Sequence, residues 1–316
     1  MERTCGIELT VPSFREYDYD MVCGAAETTE IPDYYIVPNK KIGVLIKDIG
    51  NVGGCVAAAG ASFMEEFYKR DTGEEMEFSM GWFYGKHRLD SMRGYGLSVS
   101  VFLDKWREIG AVPKMYVPNL VEMPDMKKIV DEAPELENIG KPFKLGGYVG
   151  INYAVAEKRE KAICDALLKY GYGLFAVSDD YFSERHAIII IGWDFRDKNN
   201  KKYIIQNSWG EDYGDKGIGT VPQKAINSTY LLLYEPVKLP FDDVSEDRYS
   251  FKHIKNLFLQ GIMNGVSETK FDPEAPMTRE QYATATDRNN QRIQENMESM
   301  LKIILKEIRL RCGLDK

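Results

Sequence analysis

The sequence predicts an α+β protein with a helical first half, a strand-rich second half, and a small all-α unit with a terminal helix at its end. Three observations predict it. Apolar residues recur at helical spacing through 45–120. Short runs rich in Ile, Val and Tyr follow through 147–238. After Leu239-Pro240 the pattern changes to short helical stretches separated by Gly and Pro.

The elements follow in order. Residues 1–30 are polar and acidic with no long helical pattern, and read as an extension forming an edge strand or a strap. A Gly-rich turn with glycines at 50, 53 and 54 leads into a helix. Val56, Ala59, Phe63 and Phe67 share one face of that helix, while Glu65, Glu66, Lys69 and Arg70 lie elsewhere. Ser98–Gly110 places Val99, Phe102, Leu103, Trp106 and Ile109 on a core-facing stripe. Strands are expected at Gly147–Ala154, Leu174–Ser178, His186–Trp193, Lys202–Asn207 and Tyr230–Glu235, interrupted by a helix over Glu157–Tyr170. The charged run Asp194–Lys202 reads as a solvated hairpin turn. The domains expected are an extension (1–30), a main domain (31–240), a helical unit (241–288) and a C-terminal helix (289–316).

Composition narrows the function classes. A net charge of −8 disfavours a general nucleic-acid binder, because a phosphate backbone would be repelled. No apolar run reaches the roughly 18–20 residues that span a bilayer. Met1–Gly6 lacks the basic start and apolar stretch of a signal peptide. Location is thus open: the protein stays inside, leaves by another route, or has a leader beyond this sequence. The 5 cysteines, at 5, 23, 55, 164 and 312, are odd in number and scattered, so no disulfide framework is expected. Among the 3 histidines, His87 and His253 have no metal-ligand spacing, and neither a metal nor a cofactor is expected.

Three residues carry the chemistry. Cys55 ends Gly53-Gly54-Cys55 where the helix begins, His186 opens an Ile-rich strand, and Asn207 lies in Asn207-Ser208-Trp209-Gly210. A thiol becomes nucleophilic on losing its proton, which a helix N-terminus and a nearby imidazolium both favour. His186 would hold the thiolate as an ion pair and then protonate a leaving amine. Asn207 would orient the ring by accepting from its other nitrogen.

These segments resemble a papain-like cysteine peptidase over residues 31–238. Ile31-Pro32-Asp33-Tyr34-Tyr35 resembles the start of the mature domain, Lys47–Ala57 its nucleophile segment, and Gly214-Asp215-Lys216-Gly217 its later G-x-x-G. The resemblance implies a two-lobe fold with Cys55 on the helical lobe and His186 and Asn207 on the β lobe. It implies a peptide or protein substrate in the cleft, with Gly94 and Gly96 pairing to substrate backbone and Trp209 shielding the His–Asn contact. Two departures matter. Ile49 stands where the family has the oxyanion Gln, leaving the Cys55 backbone N–H as donor, with Asn51 a candidate replacement. Val56 replaces a Trp that mainly packs. The implied activity is a cysteine endopeptidase slowed by Ile49; the alternatives are a binding or assembly module with impaired turnover, or acyl transfer to an amine.

Beyond Leu239, Phe241-Asp242-Asp243-Val244, Gly261-Ile262-Met263-Asn264-Gly265, Phe271-Asp272-Pro273 and Pro276-Met277-Thr278-Arg279-Glu280 form an ordered series. It resembles one S-layer homology repeat, a unit that attaches proteins to cell-wall polysaccharide. Lys252–Gln260 reads as a short helix, Thr278 as the cap of the next, and Arg279 as a fork for an anionic sugar. Glu280 beside it opposes such a ligand, so packing or docking is the competing role. Ile293, Met297, Met300, Ile304 and Ile308, widened by Leu301 and Leu305, suggest a helix that either packs on its own chain or joins copies into a homo-oligomer.

Overall fold

The computed structural model describes Ile7, Tyr19 and residues 30–88, 95–117, 123–182, 184–235, 239–259, 262–291 and 293–294. Gly94 and the apolar stripe from Met297 to Ile308 lie outside the described residues. The chain forms two compact units, Met1–Glu66 with Glu77–Glu235, and Phe67–Met76 with Pro236–Lys316.

In the first unit a short strand β1 (Tyr34–Ile36) precedes five helices: α1 (Cys55–Thr72), α2 (Met80–Lys86), α3 (Val99–Ile109), α4 (Met123–Asp131) and α5 (Leu136–Gly140). The β half then runs β2 (Gly147–Gly150), α6 (Ala156–Tyr170), β3 (Leu174–Ser178), β4 (His186–Asp194), β5 (Lys202–Gln206), β6 (Ile218–Pro222) and β7 (Ser228–Leu233). Among the described residues these strands make a seven-stranded sheet ordered β2-β7-β3-β4-β5-β6, with β1 also paired to β4. Every pairing is antiparallel.

β4 is the spine of this sheet. It pairs with β3 from His186 to Ile190 and with β1 from Gly192 to Asp194, so β1 takes over where β3 ends. All of β4 but Asp194 is buried, which explains a continuous Ile run where a half-exposed strand would alternate. The strands differ from expectation at their ends. β2 stops at Gly150 instead of reaching Ala154, and β7 runs from Ser228 to Leu233 instead of Tyr230 to Glu235. β6 was not anticipated: Ile-Gly-Thr-Val-Pro is half-exposed at the sheet edge, where Gly and Pro are tolerated and mask the strand signal.

The expected core stripe holds, with Val99, Phe102, Leu103 and Trp106 buried. Phe102 and Phe63 each stack near Phe175 of β3 at 6.4 Å between centroids, joining helices to sheet. The polar side of α1 differs from a solvated face, because Glu65 and Glu66 are both buried. Glu65 accepts from Lys47 Nζ at 2.5 Å, from Val44 N at 2.8 Å and from Phe78 N at 3.0 Å. Burial still pushes its carboxyl above the ordinary range, with Lys47 opposing. One carboxylate thus ties the loop before Cys55 to the helix that Cys55 heads.

The second unit has its own small core of Phe241, Val244 and Ile254, surrounded by Leu239, Phe251, Phe258 and Phe271. Its first helix, α7, spans Phe251–Leu259. Lys255 of α7 forms a buried ion pair with Asp71 at 2.5 Å, and Asn256 accepts from Tyr68 Oη at 2.6 Å. Gly265 closes a turn in which a Cβ would lie 2.3 Å from Lys270 O and 2.4 Å from Phe241 Cε1. Thr278 caps the next helix as expected: Gln281 N donates to its Oγ1 at 3.1 Å, and Thr278 N donates to Gln281 Oε1 at 2.8 Å. That helix, over 279–291, is largely exposed.

The two kinds of ion pair on α1 give a direct contrast. Glu65→Ala leaves a buried ammonium and two amides unpaired and should destabilise by about 3–5 kcal/mol. Lys69→Ala removes an exposed pair with Glu75 and should change stability by less than about 1 kcal/mol. Urea denaturation of both variants checks the difference, and equal effects would contradict it.

Candidate active site

Three segments converge at one end of β4. Cys55 is the first residue of α1, with Ala58 N donating to Gly54 O at 2.9 Å as the helix starts. His186 is the first residue of β4 and pairs with Ser178. Asn207 follows the last residue of β5, and its N–H donates to Gly217 O at 3.0 Å. Gly217 has φ +84°, and a Cβ there would sit 2.4 Å from Ile46 Cγ2, so glycine is needed for the two loops to meet.

Backbone hydrogen bonds connect the nucleophile loop to the Asn segment. Ile49 N donates to Ser208 O at 3.0 Å, Gly210 N donates to Lys47 O at 2.9 Å, and Asp48 bridges Trp209 antiparallel. A turn into α1, Ala58 and Ala59 share a cavity of about 10 Å³ with Ala187 and Asn207. Cys55 and His186 are each 0% exposed. Cys55 and Cys164 are in no disulfide.

The imidazole has a defined tautomer. His186 Nε2 donates to Asn207 Oδ1 at 2.7 Å, and the same oxygen accepts from Ser208 N at 2.7 Å. Nδ1 is then the ring's lone-pair nitrogen, and among the described residues it has no hydrogen-bond partner. Burial lowers the ring's pKa to about 4, with the Asn207 contact opposing. Burial thus works against the imidazolium form that an ion pair with Cys55 would need.

Aromatic rings enclose it. Trp209 lies 4.9 Å from the imidazole and Phe182 5.0 Å, the latter edge-on. Phe182 and Tyr213 both meet Trp209 edge-on, at 5.4 and 5.5 Å. Phe182 and Tyr213 escaped the sequence reading; the only signal was aromatic residues inside two loops flanking the motifs.

The remaining expected residues fall as follows. Ile49 is buried at 3% exposure, and its side chain offers no donor. Asn51 is exposed on the turn. Gly96 is buried, and its neighbour Leu97 forms a parallel bridge with Ile7. His87 is buried and bonds Gly110 O at 2.9 Å, a structural role. No group of three or more metal-ligating side chains occurs among the described residues. In the second unit, a groove of about 600 Å³ is lined by Met277, Glu280, Thr284 and Arg288 among others, and neither Thr278 nor Arg279 lines it.

Burial of two histidines sets an acid limit. Burial lowers His87 to about 3 and His186 to about 4. An unfolded histidine takes up its proton near pH 6.5. As pH falls from there toward 4, the unfolded chain binds protons the folded one does not, so stability present above pH 6.5 is progressively lost. The expected slope is about 1.4 kcal/mol per pH unit for each ring. Urea titrations between pH 7 and 4.5 on wild type and His87→Phe check it: the variant should lose one ring's share of the slope.

Comparison with known proteins bears on the fold and on two segments of the chain. The model for "Papain family cysteine protease" matches residues 156–230, and that for "S-layer homology domain" matches 240–283. Cathepsin K of Mus musculus is 23% identical over 239 residues, covering 70% of this chain and 68% of that protein. Cysteine protease Amb a 11.0101 of Ambrosia artemisiifolia is 23% identical over 203 residues, covering 61% of this chain but only half of its own length. Among solved structures, xylellain, a cysteine protease from Xylella fastidiosa, superposes with a TM-score of 0.57 at 16% identity, covering 75% of this chain and 97% of that one. The chain thus combines the papain-like fold, with a match to the papain-family cysteine protease model, and a following segment that matches the S-layer homology model.

Proposed function

We propose that the chain is a cysteine endopeptidase acting through Cys55, His186 and Asn207. The observation that carries this reading is the 2.7 Å bond from His186 Nε2 to Asn207 Oδ1, which leaves Nδ1 as proton acceptor in the segment cluster that includes Cys55. The fold and the relatives support cysteine peptidase function at the level of family.

The chemistry balances with these groups. Nδ1 takes the Cys55 thiol proton as Sγ bonds to the substrate carbonyl carbon. The oxyanion that forms is met by the Cys55 backbone N–H. The C–N bond then breaks, and Nδ1–H passes its proton to the departing amine. Water attacks the thioester with Nδ1 as base, and the sulfur leaves to recover its proton. Asn207 keeps the ring in the tautomer that both halves require.

Ile49 favours a second reading, a binding or assembly module with impaired turnover, because the site lacks the side-chain oxyanion donor. Acyl transfer to an amine instead of water uses the same groups. In either case the S-layer homology segment suggests attachment at a cell surface, with cell-wall polysaccharide as a partner. Arg288 is the cation lining the second unit's groove and Asp272 and Glu280 are its anions, so a neutral polar glycan suits it better than an anionic one. Self-association through residues 289–316 is the further proposal for this region. No described helix is long and apolar enough to cross a membrane.

A thiol-reactive peptidyl epoxide tests the nucleophile. It should label Cys55, with His186→Ala abolishing labelling at neutral pH, and labelling in wild type should decline as pH falls through about 4. Labelling indifferent to His186 would refute the proposed pair. Ile49→Gln should raise peptide hydrolysis by about 10²–10³ if the missing donor limits the rate. No gain would favour the binding reading.

A further inference from the structure

A groove of about 540 Å³ opens beside the nucleophile loop, within the roughly 300–1,000 Å³ typical of ligand sites. Leu45, Ile46, Ile49, Phe78 and Met80 supply its apolar lining. Its charged lining comprises Lys114 and Glu77, paired at 2.7 Å, with Lys47 and Asp48 beside them. Leu45 is 48% exposed and so presents its aliphatic side chain to whatever enters the groove.

Its position gives the groove a direction. The loop segment that lines it, Lys47 to Gly50, is the one hydrogen-bonded to Ser208 and Gly210 and bridged to Trp209. Trp209 in turn lies against the His186 ring. In the proposed reaction the departing amine must reach Nδ1 of that ring, so the half of the substrate it belongs to runs past Trp209. The groove continues from that edge.

We infer that this groove receives the leaving half of the substrate, as a peptide segment bearing large aliphatic side chains. This rests on the Cys55–His186 reading. Ile49 thereby gains a role: where a side-chain amide would stabilise an oxyanion, an isoleucine extends the apolar wall. Lys114 and Glu77 offset one another, Lys47 is taken up by Glu65, and Asp48 adds a further carboxylate to the lining, so an acidic residue is the least favoured in the groove.

The test uses full-length protein and peptides sharing one acyl half, with Leu, Ala or Glu at each of the first three leaving-side positions. Leu should be preferred over Ala at one of them at least about tenfold in kcat/KM, and Glu should be cleaved worst. Leu45→Glu should cut the Leu-to-Ala ratio to about threefold or less. Equal cleavage of Leu and Ala peptides, or a ratio that Leu45→Glu leaves unchanged, overturns the inference. Epoxide labelling of the same protein separates the two failures. Labelled Cys55 with no leaving-side preference sinks the groove alone. If Cys55 does not label, the peptidase reading fails, and fluorescence anisotropy with the same peptides decides the groove. Tighter binding of the Leu peptide, weakened by Leu45→Glu, supports it; equal binding of Leu and Ala peptides rejects it.

Discussion

The short ladder between Lys47–Ile49 and Ser208–Gly210 is the constraint on which the site depends. Two backbone hydrogen bonds and one bridge fix the loop that ends in Cys55 against the loop that begins with Asn207. The helix half and the sheet half would otherwise present their reactive groups independently. Glu65 backs this ladder from inside by holding Lys47 and the Val44 amide, so the loop is anchored on both sides. Gly210, at φ +77°, lets the Asn segment turn away immediately after its last ladder bond.

Much of this was legible because the candidate site residues sit at ends of elements with strong local patterns. An unbroken Ile run predicted β4 and placed His186 at its start. Gly53-Gly54 before an Ala-rich stretch predicted a helix headed by Cys55. Thr278 and Gln281 signalled a helix start at the observed place. What remained hidden depended on partners distant in sequence. Glu65 looked like a surface residue because nothing near it announces Lys47, Val44 and Phe78. Phe182 and Tyr213 lie in loops whose rings meet only after β4 and β5 pair. β6 was concealed by the Gly and Pro that an edge strand permits.

The electrostatics of the site follow from enclosure. Water is kept from the ring by Trp209 and Phe182, and the loss of hydration outweighs the single hydrogen bond the ring donates to Asn207. A dry, neutral imidazole makes a ready base but a poor permanent counter-ion. Ile49 points the same way: its buried side chain adds to an apolar wall beside the nucleophile loop.

The second compact unit has a consequence for dissecting the molecule. It is assembled from Phe67–Met76 as well as from Pro236 onward, with Asp71 and Tyr68 engaging Lys255 and Asn256. The sequence boundary near Leu239-Pro240 therefore does not coincide with the physical one. Fragments divided there would each keep half of a buried ion pair, so a recombinant module beginning at Pro236 would need Lys255, stripped of Asp71, replaced by a neutral residue before it could stand as an independent domain.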